Sequence, residues 1–121
     1  MPINSKQKGK TGELELAHVL EGLFKDHQFV RSGQVSGLYT ADVVEVDRNK
    51  SVVSNGLYIE AKRVEKLPLY AAVQKAVVGA KPGEIAAVFH RQNRQDWLVT
   101  IRLDDLPQFA TNVYKLLDNN Q

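Results

Sequence analysis

The chain has 121 residues, of which 43% are hydrophobic and 25% charged, and carries a formal net charge of +2; that balance fits one compact globular domain and excludes an intrinsically disordered chain. The absence of cysteine excludes disulfides, thiolate metal sites and cysteine nucleophiles. No apolar leader follows Met1 and no run approaches the ~20 apolar residues that cross a bilayer, so the expectation is an intracellular, cytoplasmic protein with no membrane partner.

In chain order, the first stretch holds Lys6, Lys8 and Lys10 without an acid. It predicts a flexible basic arm over residues 1–10, able to track a phosphate backbone, ahead of a single domain that fills the chain. From about Thr11, a candidate N-cap, to Asp26 the spacing predicts a helix. At ~100° per residue, Leu16, Ala17, Leu20, Leu23 and Phe24 gather on one side. Glu13 projects from the middle of that side, whereas Glu15 falls on the opposite, watery face with His18 and Gly22 near it. Burying an unpaired carboxylate is costly, and the helix dipole relieves only part of that cost. Glu13 is therefore expected to aim inward at the sheet, and Glu15 to face solvent.

Phe29–Arg31 is a short strand candidate, followed by a loop, Ser32–Gly37. Its hydroxyls and backbone amides suit phosphate oxygens, while ordinary turn chemistry accounts for its glycines. Tyr39–Val46 reads as a strand with an acid, Asp42, among β-branched residues, where an acid is a poor strand former. Asp47–Lys50 is a turn and Asn55-Gly56 a hairpin signal, so antiparallel pairing here would carry Asp42 to the following strand. That strand, Gly56–Arg63, alternates: Leu57, Ile59 and Ala61 share one face, and Tyr58, Glu60 and Lys62 the other.

Pro68 to about Lys81 predicts a second helix, with Tyr70, Val73, Ala76 and Val77 buried and Gln74 at the apolar edge. Ile85–Phe89 is apolar enough for a central strand covered on both faces. His90–Gln95 is a polar, basic turn, Trp97–Ile101 the returning strand, and Asp104-Asp105 open a last helix with Phe109, Val113, Leu116 and Leu117 as its apolar positions. The fold class is α/β: a mixed sheet of about five strands flanked by helices.

Phosphodiester hydrolysis needs a water made nucleophilic near neutral pH and charge stabilisation at phosphorus and the leaving oxygen. Divalent ions held by carboxylates do both, and Mg²⁺ needs only two or three acids, a carbonyl and water. Asp42 and Glu60 offer two carboxylates, Glu13 a third, and Ala61 a carbonyl between functional residues. Lys62, on the strand face of Glu60, can orient the attacking water or stabilise developing negative charge. Surface ion pairs and chance spacing are the competing account.

Taken as an ordered set, Lys8-Gly9-Lys10-Thr11-Gly12-Glu13, Arg31-Ser32-Gly33, Ala41-Asp42-Val43-Val44 and Ile59-Glu60-Ala61-Lys62 resemble the PD-(D/E)xK nuclease superfamily. The nearest likeness is to archaeal-type Holliday junction resolvases and their phage relatives, over roughly residues 8–90. The resemblance implies a restriction-endonuclease-like fold, with Glu13 as the helical acid, Asp42 and Glu60 as metal ligands and Lys62 as the catalytic lysine. Ala41 stands where the signature has proline, and either Ser32 or Ser36 takes the place of the family's serine. Gln74 resembles a glutamine on the helix after Glu-x-Lys in related nucleases.

The resulting expectation is an endonuclease that uses Mg²⁺, with Mn²⁺ as a substitute, and resolves four-way DNA as a homodimer. Lys6, Lys8, Lys10, Arg31, Ser32, Ser36, Arg63 and Gln74 are its expected DNA contacts. A related nuclease for other branched, nicked or single-stranded DNA is the alternative, as is a non-catalytic DNA-binding module.

Overall fold

The computed structural model of the protein describes residues 5–117, with side chains from residue 9 onward. Three helices flank a mixed sheet of five strands in the order β1-β2-β3-β4-β5. The first helix, α1 (Ser5–Leu23), begins well before Thr11, so Thr11 lies inside it and not at its N-terminus. Residues 5–10 continue the helix where a flexible arm was expected. Once the packed turns further along have borne the cost of nucleation, adding helix formers such as Lys6, Gln7, Lys8 and Lys10 needs only propagation. The expected arm over residues 1–4 and the Lys6 and Lys8 side chains lie outside the described residues.

The stripe of α1 is Leu16, Ala17 and Leu20, all nearly inaccessible, continued by Phe24 just past the helix. Fully burying a leucine is worth about 1.5–3 kcal/mol, so this stripe fixes how the helix rolls on the sheet. Leu23, expected within it, is 60% exposed at the last helical position. With Leu20, Phe109 and Val113 it lines an apolar cleft of about 220 Å³ between α1 and the C-terminal helix. The chain then turns at Asp26, in the left-handed region with φ 74°, which aspartate tolerates better than most side chains.

Strands β1 (Gln28–Arg31), β2 (Val43–Val46) and β3 (Leu57–Arg63) form an antiparallel meander. β4 (Ile85–Arg91) then pairs with β3 in parallel, and β5 (Leu98–Thr100) returns antiparallel along the edge. The parallel step requires a crossover, which α2 (Leu69–Gly79) supplies. A short 3₁₀ turn, Leu103–Asp105, leads into α3 (Leu106–Leu117).

Strand β2 starts at Val43, not at Tyr39: Asp42 sits on a bend ahead of it. Thr40 is likewise outside the ladder, and its Oγ1 accepts the Tyr58 hydroxyl at 2.9 Å. Asn55-Gly56 also differs from expectation. It closes no two-residue hairpin, since residues 47–56 form a long connection with one isolated bridge, Val46 to Val52. Asn55 Oδ1 accepts the Leu57 N–H at 3.0 Å instead, so the pair shapes the entry to β3.

Two cores result. α1 and α3 cover one face of the sheet, over Phe29, Val43, Leu57, Ile59 and Ile85, with Leu116 contributed by α3. α2 covers the other, over Val44, Val46, Tyr58, Ala86 and Val88. On α2 the buried residues are Ala72 and Ala76, while Tyr70, expected inside, is 93% exposed. Small residues at the contact let the helix approach the sheet closely, which displaces the larger tyrosine to the flank. Among the described residues no helix is long and apolar enough to cross a membrane.

Candidate active site

β3 and β4 run parallel, so their C-terminal ends lie at one end of the sheet. The N-terminal half of α1 lies over the same end: a Cβ on Gly12 would sit 3.1 Å from the Arg63 Cβ. β2 and β3 are in register at Val43 and Ile59, and Asp42 continues the pairing past that point. Its N–H donates to the Ile59 carbonyl at 2.9 Å. Its Oδ2 accepts the Ala61 N–H at 2.9 Å, so a side chain replaces the next backbone acceptor in the ladder. The Asp42 carbonyl accepts the Ser32 N–H at 3.0 Å. Three backbone links therefore place one carboxylate at the mouth between β2 and β3.

Glu60 projects from the α2 face of β3 and is only 4% exposed. Burial, then the neighbouring Asp42 charge, push its pKa up to about 7, against the opposing pull of Lys62 and Lys75. A negative charge beside a buried carboxyl disfavours its ionised form. Glu13 reaches the same place from α1, half-buried, and its pKa is raised by burial and again by Asp42. Arg31 Nε lies 3.4 Å from Glu13 Oε1 and offsets that rise only in part.

Glu13, Asp42 and Glu60, drawn from a helix, a bend and a strand, are thus coupled electrostatically through Asp42. The donors are hard oxygens, the kind Mg²⁺ prefers, and a divalent cation is the group that would relieve their repulsion. Among the described residues no three Asp, Glu or His side chains close into a ready-made ion site. Ion binding here would therefore rest on the Asp42–Glu60 pair, with the Ala61 carbonyl, Glu13 and water completing it.

The other candidate residues divide. Lys62 is half-buried on the strand face of Glu60, as alternation requires. Lys10 is exposed on α1, and Ser36 is exposed beyond the 3₁₀ turn Ser32–Gln34. Ser32 is the serine tied directly to Asp42, through its backbone. Arg31 is engaged with Glu13 rather than open to solvent. Gln74 is exposed on α2; its neighbour Lys75 is the α2 residue whose charge reaches Glu60. Lys75 directly precedes the buried Ala76, and that flanking position next to the alanine stripe was the signal for it in the sequence.

Glu15 is the clearest departure from expectation. Predicted to face water, it accepts Arg91 Nε at 2.5 Å and Trp97 Nε1 at 3.0 Å, with Arg63 Nη1 at 3.7 Å. The Arg91 guanidinium in turn lies 5.8 Å from the Trp97 ring centre. The hydrogen bond from Arg91 is the main reason the Glu15 pKa is lowered. A wheel counts only the helix's own stripe. Arg63 and Arg91 share the α1-facing parity of their strands and extend past the apolar core to meet the flank of the helix. Arg63 therefore points away from Lys62 and toward Glu15 and Asn93.

A cleft of about 460 Å³ opens between the β4–β5 turn and the β3–α2 connection, lined by Leu67, Leu69, His90, Gln92 and Leu98 among others. The three acids are not part of its wall. No family profile, curated protein or solved structure matches the chain.

Proposed function

We propose that the chain is a metal-dependent endodeoxyribonuclease of the PD-(D/E)xK type, acting on four-way DNA junctions. The observation that carries this reading is Glu60, a buried carboxylate pushed up to about 7 beside Asp42, with Lys62 on the same strand face. A structural carboxylate would be paired or solvated. One kept ionisable near neutrality next to a second acid is suited to an ion and a proton transfer.

In this reading Asp42 and Glu60 hold Mg²⁺ or Mn²⁺, with Glu13 and the Ala61 carbonyl as further oxygens. The ion supplies Lewis-acid charge and lowers the pKa of its water. Asp42 is fixed by the Ala61 amide, so its carboxylate needs no reorganisation on binding. Lys62 places an ammonium where a phosphate oxygen gains charge. Arg31 acts as a positioning residue that steadies Glu13. DNA contact falls to Lys6, Lys8, Lys10, Ser32, Ser36 and Gln74, while Arg63 is engaged by Glu15 and Asn93. The four-way substrate and the homodimer follow from the resemblance, since two symmetric nicks need two active sites related by a two-fold axis.

The experiment is cleavage of labelled four-way junction, nicked duplex and linear duplex, with Mg²⁺ and with chelator. Mg²⁺-dependent nicking that favours the junction is expected. Equal cleavage of all three would reduce the reading to a general nuclease, and binding without nicking would make the chain a DNA-binding module.

A further inference from the structure

The β4–β5 turn carries a cation that the site described above does not use. In the parallel register Lys62 lies beside His90 and Arg63 beside Arg91, so the turn begins where the functional part of β3 ends. At ~3.3 Å per residue, Arg94 lies at most about 13 Å beyond the level of Lys62. DNA advances about 3.4 Å per nucleotide along a strand, so that reach corresponds to roughly four nucleotides.

Nearly every residue around Arg94 is tied down. Arg91 is held by Glu15 and donates through Nη1 to the Gln92 carbonyl at 3.1 Å. Gln92 Nε2 donates to the Glu65 carbonyl at 2.7 Å, and the Asn93 N–H donates to Glu65 Oε2 at 3.1 Å. Arg63 Nη2 reaches Asn93 Oδ1 at 3.4 Å, and the Gln95 N–H closes the turn on the Gln92 carbonyl at 3.2 Å. Arg94 itself is exposed, has φ 61° and has no carboxylate partner among the described residues. A left-handed backbone at a non-glycine residue persists only where its surroundings enforce it. Here the enforced conformation presents a bare guanidinium from a rigid support, which lowers the ordering cost of binding an anion.

We propose that the β4–β5 turn is a DNA-backbone contact in which the Arg94 guanidinium binds a phosphate a few nucleotides from the scissile one. Glu15 and Glu65 are its positioning residues: they neutralise or brace the neighbouring groups and leave Arg94 free. The identity of the ligand rests on the nuclease reading above, but the test does not depend on cleavage.

Binding of a fluorescent four-way junction and of a duplex is measured by anisotropy across a salt series without divalent metal. The variants are Arg94→Ala, Arg94→Gly and Lys50→Ala. Lys50 is an equally exposed left-handed cation (φ 64°) in the turn at the opposite end of β2. Both Arg94 variants should bind roughly fivefold to tenfold more weakly at low salt and lose about one from the slope of log affinity against log salt, while Lys50→Ala matches wild type. Arg94→Gly also eases the positive φ, so agreement between the two Arg94 variants assigns the loss to charge rather than turn shape. Arg94 variants that behave like Lys50→Ala would overturn the proposal, as would a wild-type protein that fails to bind DNA. Arg94-dependent binding by a protein that does not nick DNA in Mg²⁺ would sink the nuclease reading and leave the Arg94 contact with the DNA backbone standing.

Discussion

Glu13 and Glu15 sit two residues apart on one helix and meet opposite fates. Glu15 is surrounded by donors, Arg91, Trp97 and Arg63, and its pKa is lowered. Glu13 has one long contact to Arg31, faces Asp42, and its pKa is raised. The first arrangement is what a fold does with a carboxylate it needs for cohesion. The second leaves negative charge unresolved at the end of the sheet, and the residue at its centre, Asp42, passes the same strain to Glu60. Unsatisfied charge that the backbone holds in place is a stronger pointer to chemistry than charge itself.

The comparison breaks most visibly at Glu60 and Asp42. Glu60→Gln and Asp42→Asn should each lower cleavage by about 10³-fold or more, the scale of a lost metal ligand, while DNA binding persists. Stability gives an independent reading. The folded pKa of Glu60, about 7, lies above its ordinary value of 4.5, so the fold disfavours the ionised form. That penalty is absent below about pH 4.5 and fully developed above about pH 7, where it amounts to roughly 3 kcal/mol. Metal-free wild type should therefore unfold at lower denaturant at pH 8 than at pH 5, and Glu60→Gln should remove much of the difference. A flat wild-type profile would show that neither burial nor Asp42 raises the Glu60 pKa.

Lys62→Ala should slow single-turnover cleavage by about 10²-fold. Mg²⁺ titration should change little, because a cation is no ligand for the ion. A rate within about a factor of two of wild type would demote Lys62 to a surface residue.

The two helical glutamates should then separate by what each loses. Glu13→Gln is expected to impair turnover without loss of stability. Glu15→Gln should cost about 1–2 kcal/mol of stability, less than for a fully buried pair because the cluster is partly solvated. The Glu15 contribution carries the opposite sign with pH: a lowered pKa stabilises above its ordinary value of 4.5 and fades as pH falls through the lowered one. Denaturant melts of both variants at pH 3 and pH 7 test this. The smallest expected effect is that of Lys75→Ala, which removes a charge that favours ionised Glu60. Its acid limb in the pH–rate profile should move upward, and a downward shift would mean that Lys75 acts elsewhere.

Much of this site was legible in the sequence because strand parity is rigid. Alternation along Leu57–Arg63 put Glu60 and Lys62 on one face and Ala61 on the other, and the helical wheel aimed Glu13 inward. The sheet of five strands with helices on both sides followed from the same periodicities. Other features depend on contacts that no single period encodes. Glu15 found its partners on β3, β4 and the segment before β5, a choice made by tertiary packing. The alanine contact of α2 displaced Tyr70 and turned Lys75, in place of Gln74, toward Glu60. Asn55-Gly56 offered a hairpin signal, but Asn55 spent its side chain on the Leu57 amide and left a long connection behind it.

One further feature lies at the other end of β3. Gly56, with φ +78°, lies so close under α3 that a Cβ there would come within 2.5 Å of Asn112 Nδ2, and the Asn112 side chain donates to the Gly56 carbonyl at 3.1 Å. The same carbonyl accepts the Ile85 N–H at 2.8 Å. β3 is therefore pinned at its start by α3 and β4, and near its finish by Asp42. A strand held at both ends inside a sheet should open only with the whole fold, so its amides are expected to belong to the slowest-exchanging unit of the molecule. Fraying at the β5 edge or at the helix ends can then proceed on fast timescales while the spacing of Glu60, Ala61 and Lys62 stays fixed.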